Sequence, residues 1–306
     1  MTALLRSRAT WWWIAQAVVL AVVVVLVGRA LARNWDAFRN AQFSFSLVPG
    51  WLAISLGLVG LTYLVLIDSW RRILLGWNQP LGFRAATRIW FLANLGRYVP
   101  GKVWSVAGMV VLAQREGVQP WAATASAVAV QAIGIGTAVA VVAAAAPGAE
   151  SPLRLAIAAG LAIGTMGLLA WEFATRQIRR LVPRFDELRP IPVSVLLVST
   201  GLTLIGWLLY GVSFWALGRG LGLPPLGLPM AAAVFALGYI LGLLALFAPG
   251  GAGVREVTFV ALLTPALGAG PAIGLSLASR LVLTLTEAAG GIAALVWTRS
   301  SQGVSR

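Results

Sequence analysis

The chain contains no cysteine and no histidine, and only 10% of its 306 residues are charged. Without cysteine there is no disulfide and no thiol nucleophile. Without histidine there is no imidazole acid or base, no His-ligated haem and none of the usual zinc sites. No loop carries a paired-carboxylate metal motif, and no nucleotide-binding motif is present. These absences set the expectation that the chain is not an enzyme and uses no metal or other cofactor. Absence of cysteine says nothing about compartment.

What is present in place of charge is apolar surface. Hydrophobic residues make up 59% of the sequence and mean hydropathy is +0.89, whereas a soluble domain carries about 25% charge. Several runs exceed the roughly 18 apolar residues that read as a transmembrane helix. The longest polar stretches, 32–46 and 174–192, are too short to fold alone. The expectation is one all-α polytopic membrane domain over residues 1–306. Net charge is +14, from 23 Lys and Arg against 9 Asp and Glu. In a membrane chain this reads as the positive-inside bias and attraction to anionic lipid headgroups. No basic cluster is interleaved with aromatics on a soluble face, so no nucleic-acid partner is expected. Arg6 and Arg8 precede the first apolar run, and Ala30-Leu31-Ala32 imitates a signal-peptidase site. The run from 11 to 27 is longer than a signal core, and it reads as a retained first helix.

Hydropathy and turn signals predict six full spans, at 11–31, 48–67, 121–146, 153–173, 193–217 and 271–297. Two further apolar stretches, 89–113 and 229–267, are interrupted by Pro-Gly steps. Their halves fall short of a bilayer at the rise of an α-helix. If each is a re-entrant hairpin and the N-terminus is cytoplasmic, fourteen basic residues fall in inner loops and five in outer loops. That distribution places both termini in the cytoplasm and the chain in the inner (plasma) membrane. The first hairpin then enters from the cytoplasm and the second from outside, a pseudo-inverted repeat of the kind seen in secondary transporters. The competing reading is a kinked but spanning helix pair in either stretch. Most tryptophans, among them Trp51, Trp70, Trp121 and Trp297, lie near predicted helix ends as an interfacial belt requires.

The two breaks carry the charges that need explaining. The first reads Gly96-Arg97-Tyr98-Val99-Pro100-Gly101-Lys102, and the second Ala248-Pro249-Gly250-Gly251-Ala252-Gly253-Val254-Arg255-Glu256. A helix restarting after Pro-Gly exposes free N–H groups and the positive end of its dipole. With Arg97, Lys102 and Arg255 alongside, this is a phosphate site in outline. The glycines let backbone approach a ligand closely. Two other readings stay open: Arg97 and Lys102 snorkelling to headgroups, and Arg255 pairing with Glu256. Arg280 and Glu287 fall near the middle of the last helix, two turns apart on one face. They are about 10 Å apart along the axis. Each can therefore pair with Arg255, Glu256 or a ligand instead of its neighbour. Asp68 and Glu172 read as ordinary interface pairs with nearby arginines.

Asn94-Leu95-Gly96-Arg97-Tyr98-Val99-Pro100-Gly101-Lys102-Val103-Trp104, followed by Gln114-Arg115-Glu116-Gly117, resembles the lysylphosphatidylglycerol synthase transmembrane (flippase-like) family. The Ala248–Glu256 motif and Arg280 resemble it too, and the likeness covers nearly the whole chain. Glu287 falls outside its motif positions. The sequence includes no soluble aminoacyltransferase domain, so synthase chemistry does not follow. The resemblance implies a flippase-like protein moving a phospholipid or a polyprenyl-phosphate-linked headgroup. Arg97, Lys102, Arg255 and Arg280 would hold the phosphate, while Glu256 and Glu287 balance charge, meet a cationic headgroup or carry a coupling proton. The alternative is an accessory membrane subunit for a glycosyltransferase or lipid-modifying enzyme. Membrane lipids are the expected partners, with room for a partner enzyme or a homo-oligomer.

Overall fold

A computed structural model describes residues 46–98, 103–145, 187–245 and 248–302, with isolated positions between 160 and 180. Among these residues the structure is all-helical. The helices are α1 (Pro49–Gly76), α2 (Phe83–Leu95), α3 (Val103–Arg115), α4 (Pro120–Ala145), α5 (Val193–Gly220), α6 (Leu228–Leu244), α7 (Val254–Leu267) and α8 (Ala269–Gln302). Short 3-10 turns at Gly96–Tyr98 and Pro249–Gly251 sit in the two breaks. Four helices, α1, α4, α5 and α8, are long and apolar enough to cross a bilayer. The chain is thus a multi-pass membrane protein. The expected spans at 11–31 and 153–173 lie outside the described residues, as do Pro100, Gly101 and Lys102.

The starts of α1 and α6 rely on proline rather than side-chain caps. Pro49 and Pro229 occupy the first turns of α1 and α6, where a missing N–H costs nothing. In a membrane, each backbone group must be satisfied within the helix, and apolar, uncapped helices do this by length alone.

The second predicted span was too short. It continues past residue 67 to Gly76 because its charges neutralise one another. Arg71 Nη2 and Arg72 Nε donate to Asp68 at 2.8 and 2.7 Å, one turn apart. The first broken segment begins earlier than expected, at Phe83, so Arg84 and Arg88 lie on α2. Arg88 pairs with Glu116 beyond the end of α3, closing the base of the α2–α3 hairpin.

The centre of the bundle is the antiparallel pair α1–α5. The Val48 N–H donates to the Gly220 carbonyl at 2.9 Å, so the start of one helix meets the end of the other. Two serine pairs then lock the register. Ser55 and Ser213 hydroxyls lie 3.0 Å apart, and the Ser213 hydroxyl also donates to the Ser55 carbonyl. Ser69 and Ser199 each donate to the other's carbonyl, at 3.0 and 3.2 Å. Ser55 and Ser199 occupy the same position counted from their helix starts, and so do Ser69 and Ser213. Small hydroxylated residues at such a seam let backbones approach and satisfy themselves across it.

Around this pair the chain repeats one order: long helix, short helix, 3-10 break, short helix, long helix. The arms α2 and α3, at 13 residues each, reach roughly 20 Å by the helical rise and cannot cross the roughly 30 Å hydrocarbon core. They pack against each other, as do α6 and α7. Each hairpin's first arm also packs on the last helix of the other half, α2 on α8 and α6 on α4. The halves are thereby interleaved, and both breaks end inside the bundle.

Candidate functional site at the meeting of the two breaks

The second break turns sharply because its glycines adopt the left-handed region, with φ of 58° at Gly250 and 73° at Gly251. L-residues with a Cβ pay strain there. A Cβ on Gly251 would come 3.0 Å from the Gly242 Cα, so the tip lies directly on α6. A Cβ on Gly250 would lie 3.6 Å from Arg280 Nη2 and 3.8 Å from the Arg97 carbonyl oxygen. Gly250 therefore marks the point where the second break, the first break and α8 come together.

Two ion-pair networks radiate from α8. Arg280 Nη1 donates to Glu256 Oε1 at 2.9 Å. The other oxygen, Glu256 Oε2, accepts the Gly253 N–H at 2.6 Å, so this carboxylate already covers the start of α7. Seven residues on, Glu287 Oε1 accepts from Arg97 Nη1 at 2.6 Å and from the Tyr63 hydroxyl at 2.5 Å. The Glu287 side chain is 3% exposed and Arg97 31%. Arg97 Nη2 also donates to Asn94 Oδ1 at 2.8 Å. Arg280 and Glu287 share a helix face, yet each reaches a different hairpin tip.

Arg255 is arranged differently. Its expected partner, Glu256, is taken by Arg280, since adjacent residues on a helix do not face each other. The Arg255 guanidinium is instead held between the Phe235 and Phe259 rings, 5.1 Å from each centroid. Its Nη2 donates to Ser279 Oγ at 3.0 Å, and its buried Nε has no hydrogen-bond partner. Among the described residues, three arginines meet at these tips with two carboxylates.

Beside Arg97 a cavity of about 80 Å³ opens between the first hairpin and helices α1, α4 and α5. Trp90, Asn94, Gln131, Tyr210 and Tyr239 line it together with Arg97. Trp90 Nε1 and Asn94 Nδ2 are buried donors without a partner. Buried polar atoms in folded proteins are nearly always satisfied, so these two are exceptions.

The structure thus brings together Arg97, Arg255, Arg280, Glu256, Glu287, Gly250, Gly251 and Gly253, with Pro249 opening the second turn. It does not bear on Lys102, Pro100 or Gly101. Tyr63, Asn94, Trp90 and Ser279 belong to the site and were missed. Asn94 stood within the quoted motif, and Tyr63 is a hydroxyl in mid-span, so both left a signal. No group of three or more Asp or Glu among the described residues is placed to hold a metal.

The family described as the lysylphosphatidylglycerol synthase TM region matches residues 5–291, and the chain belongs to it. No curated protein matches the chain.

Glu287 is a buried carboxylate, and Arg97 is one of its charged partners. Removing one partner of a buried pair costs roughly 3–5 kcal/mol because the other is stranded. Arg97→Ala should therefore lower thermal stability in detergent more than the double variant Arg97→Ala/Glu287→Gln. Equal loss in both would show that Glu287 does not rely on Arg97 for its counter-charge.

Proposed function

We propose that this protein moves an anionic lipid headgroup across the membrane, with the converging hairpin tips as the headgroup site. The observation that carries this reading is the excess of cation at those tips. Arg255 lies within a bundle of membrane-length helices with no carboxylate of its own and a buried Nε left open. An uncompensated cation at membrane depth is costly unless a ligand supplies the counter-charge. A phosphodiester supplies one negative charge and several acceptor oxygens, which suits a guanidinium fork. The family's tie to a lipid synthase's membrane region supports a lipid as the bearer of that charge.

In this reading the protein performs no chemistry on the lipid and needs no cofactor. The repeated element order and the matched serines of the antiparallel α1–α5 pair support an inverted repeat about that seam. One tip would be reached from the cytoplasm and the other from outside, with both termini cytoplasmic in the inner membrane. The pairs Arg97–Glu287 and Arg280–Glu256 hold the tips together between substrates. An arriving phosphate takes the place of a carboxylate on its arginine. Lys102, in the first break, would add to the same charge.

Sidedness can be read with single cysteines, since the chain has none. A cysteine at Val99 should react with impermeant thiol reagents from the cytoplasmic side, and one at Ala252 from outside. Reaction of both from one face would remove the inverted arrangement.

The transport reading is tested in reconstituted vesicles with a fluorescent anionic phospholipid. Arg255→Ala should abolish lipid crossing while leaving the folded protein intact in detergent, and Arg255→Lys should restore it only in part. Arg255→Ala and Arg280→Ala variants that fold and move lipid like the parent would sink the reading. A parent that moves nothing but co-purifies with a lipid-modifying enzyme would favour the accessory role.

A further inference from the structure

We infer that Phe259 is a removable plug over Arg255, and that the cavity beside Arg97 is the same place in the other half of the chain with the plug missing. The plug's purpose rests on the reading that Arg255 receives an anion; its geometry does not.

The two places correspond residue by residue. Counted from their helix starts, Trp90 and Ala93 on α2 hold the positions of Phe235 and Gly238 on α6. Ser105 on α3 holds the position of Glu256 on α7, and Gln131 on α4 that of Arg280 on α8. Trp90, Ala93, Ser105 and Gln131 all line the cavity. Contacts match as well as positions. Trp70 on α1 meets Trp90 with ring centroids 6.3 Å apart, and its counterpart on α5, Phe214, meets Phe235 at 5.8 Å. The positions that build the Arg255 site in one half therefore surround the cavity in the other.

One ring separates the two places. The counterpart of Phe259 on α3 is Gly108. Phe259 is fully buried, its ring 5.0 Å from Phe214 and 5.9 Å from Phe235. It sits so close on Gly238 that a Cβ there would run into the ring. The first hairpin makes the same crossing with two small residues, and a Cβ on Gly108 would lie 3.4 Å from the Ala93 Cα. Both pairs of arms cross at this point, but only the second puts an aromatic ring into the crossing.

That ring also holds Arg255, whose guanidinium lies 5.1 Å from the Phe259 centroid and 5.1 Å from that of Phe235. The Nε–Nη2 edge, which would grip a phosphate two-pronged, is closed. Nη2 donates to Ser279 Oγ at 3.0 Å, and Nε is buried with no hydrogen-bond partner. An anion reaches this edge only when the packing around it opens. Phe259 is the member of that packing with no counterpart in the open half. A charge-assisted hydrogen bond outweighs a cation–π contact, so an arriving anion can trade one for the other.

The chain has no cysteine, so single thiols report on both places in the purified full chain in detergent. Gly134→Cys puts a thiol in the cavity wall, where a Cβ meets nothing within 4 Å. Ser279→Cys puts one beneath Arg255, at a position 3% exposed. A small water-soluble thiol reagent should label the first quickly and the second slowly. Phe259→Ala should speed the second about tenfold, the scale on which losing a buried ring's packing shifts a local opening. It should leave the first unchanged. Gly238→Ala keeps the ring but evicts it, and should speed the second too, which covers a Phe259→Ala chain that fails to fold. The exchange Ala93→Gly/Gly108→Phe copies the plug into the first hairpin and should protect the Gly134→Cys thiol. Unchanged labelling of Ser279→Cys in either folded variant overturns the plug. Undiminished labelling of Gly134→Cys in the folded exchange overturns the correspondence. Short-chain phosphatidic acid should bind Phe259→Ala about tenfold tighter than the parent, because the competent state no longer has to be opened. Equal affinity overturns the gating role. No binding to either protein, with the labelling as expected, removes the phosphate reading and leaves the plug standing.

Discussion

Arg280 and Glu287 stand two turns apart on α8, and each reaches the tip of a different interrupted helix. Arg280 pairs with Glu256 at the start of α7, and Glu287 pairs with Arg97 in the first break. These charges lie near the middle of a membrane-length helix. There a lone charge is expensive and a satisfied pair is tolerated. The rest of the arrangement depends on this. The broken helices can end inside the bundle only because α8 supplies an opposite charge for each tip. In turn, the tips bring Glu256 to Arg280 and Arg97 to Glu287 on α8.

The frame around these pairs is nearly symmetric, while the two tips are not. The α1–α5 seam has matched serines, and each hairpin leans on the last helix of the other half. At the second tip, aromatic rings enclose Arg255 and leave it without a carboxylate. At the first, Arg97 is neutralised and borders a polar, aromatic-walled cavity.

Much of this was legible in the sequence. Pro-Gly steps in apolar runs located both breaks, and the mid-helix charges Arg280 and Glu287 identified α8 as inward-facing. Apolar length found α4, α5 and α8 nearly to their ends. The boundary of α1 was misjudged because Asp68, Arg71 and Arg72 look like a loop until they are seen to neutralise one another on a helix. Which carboxylate serves which arginine could not be read from spacing. Arg255 and Glu256 are adjacent in sequence and point apart, while Arg97 and Glu287 are distant and touch. Trp90 gave no chemical signal of its own, because an aromatic in a transmembrane helix is ordinarily packing, and Tyr63 left only a mid-span hydroxyl. Only the fold shows that one carries an unpartnered donor and the other a hydrogen bond to a buried carboxylate.

The central claim is that the cations at the converging tips are completed by an anionic lipid. It is most directly measured by native mass spectrometry of the gently purified chain and of its Arg255→Ala/Arg280→Ala variant. The account expects one anionic phospholipid retained per chain after detergent exchange, and its loss from a variant that remains folded. Retained lipid that merely mirrors the bulk membrane composition, and is the same in both proteins, would contradict it.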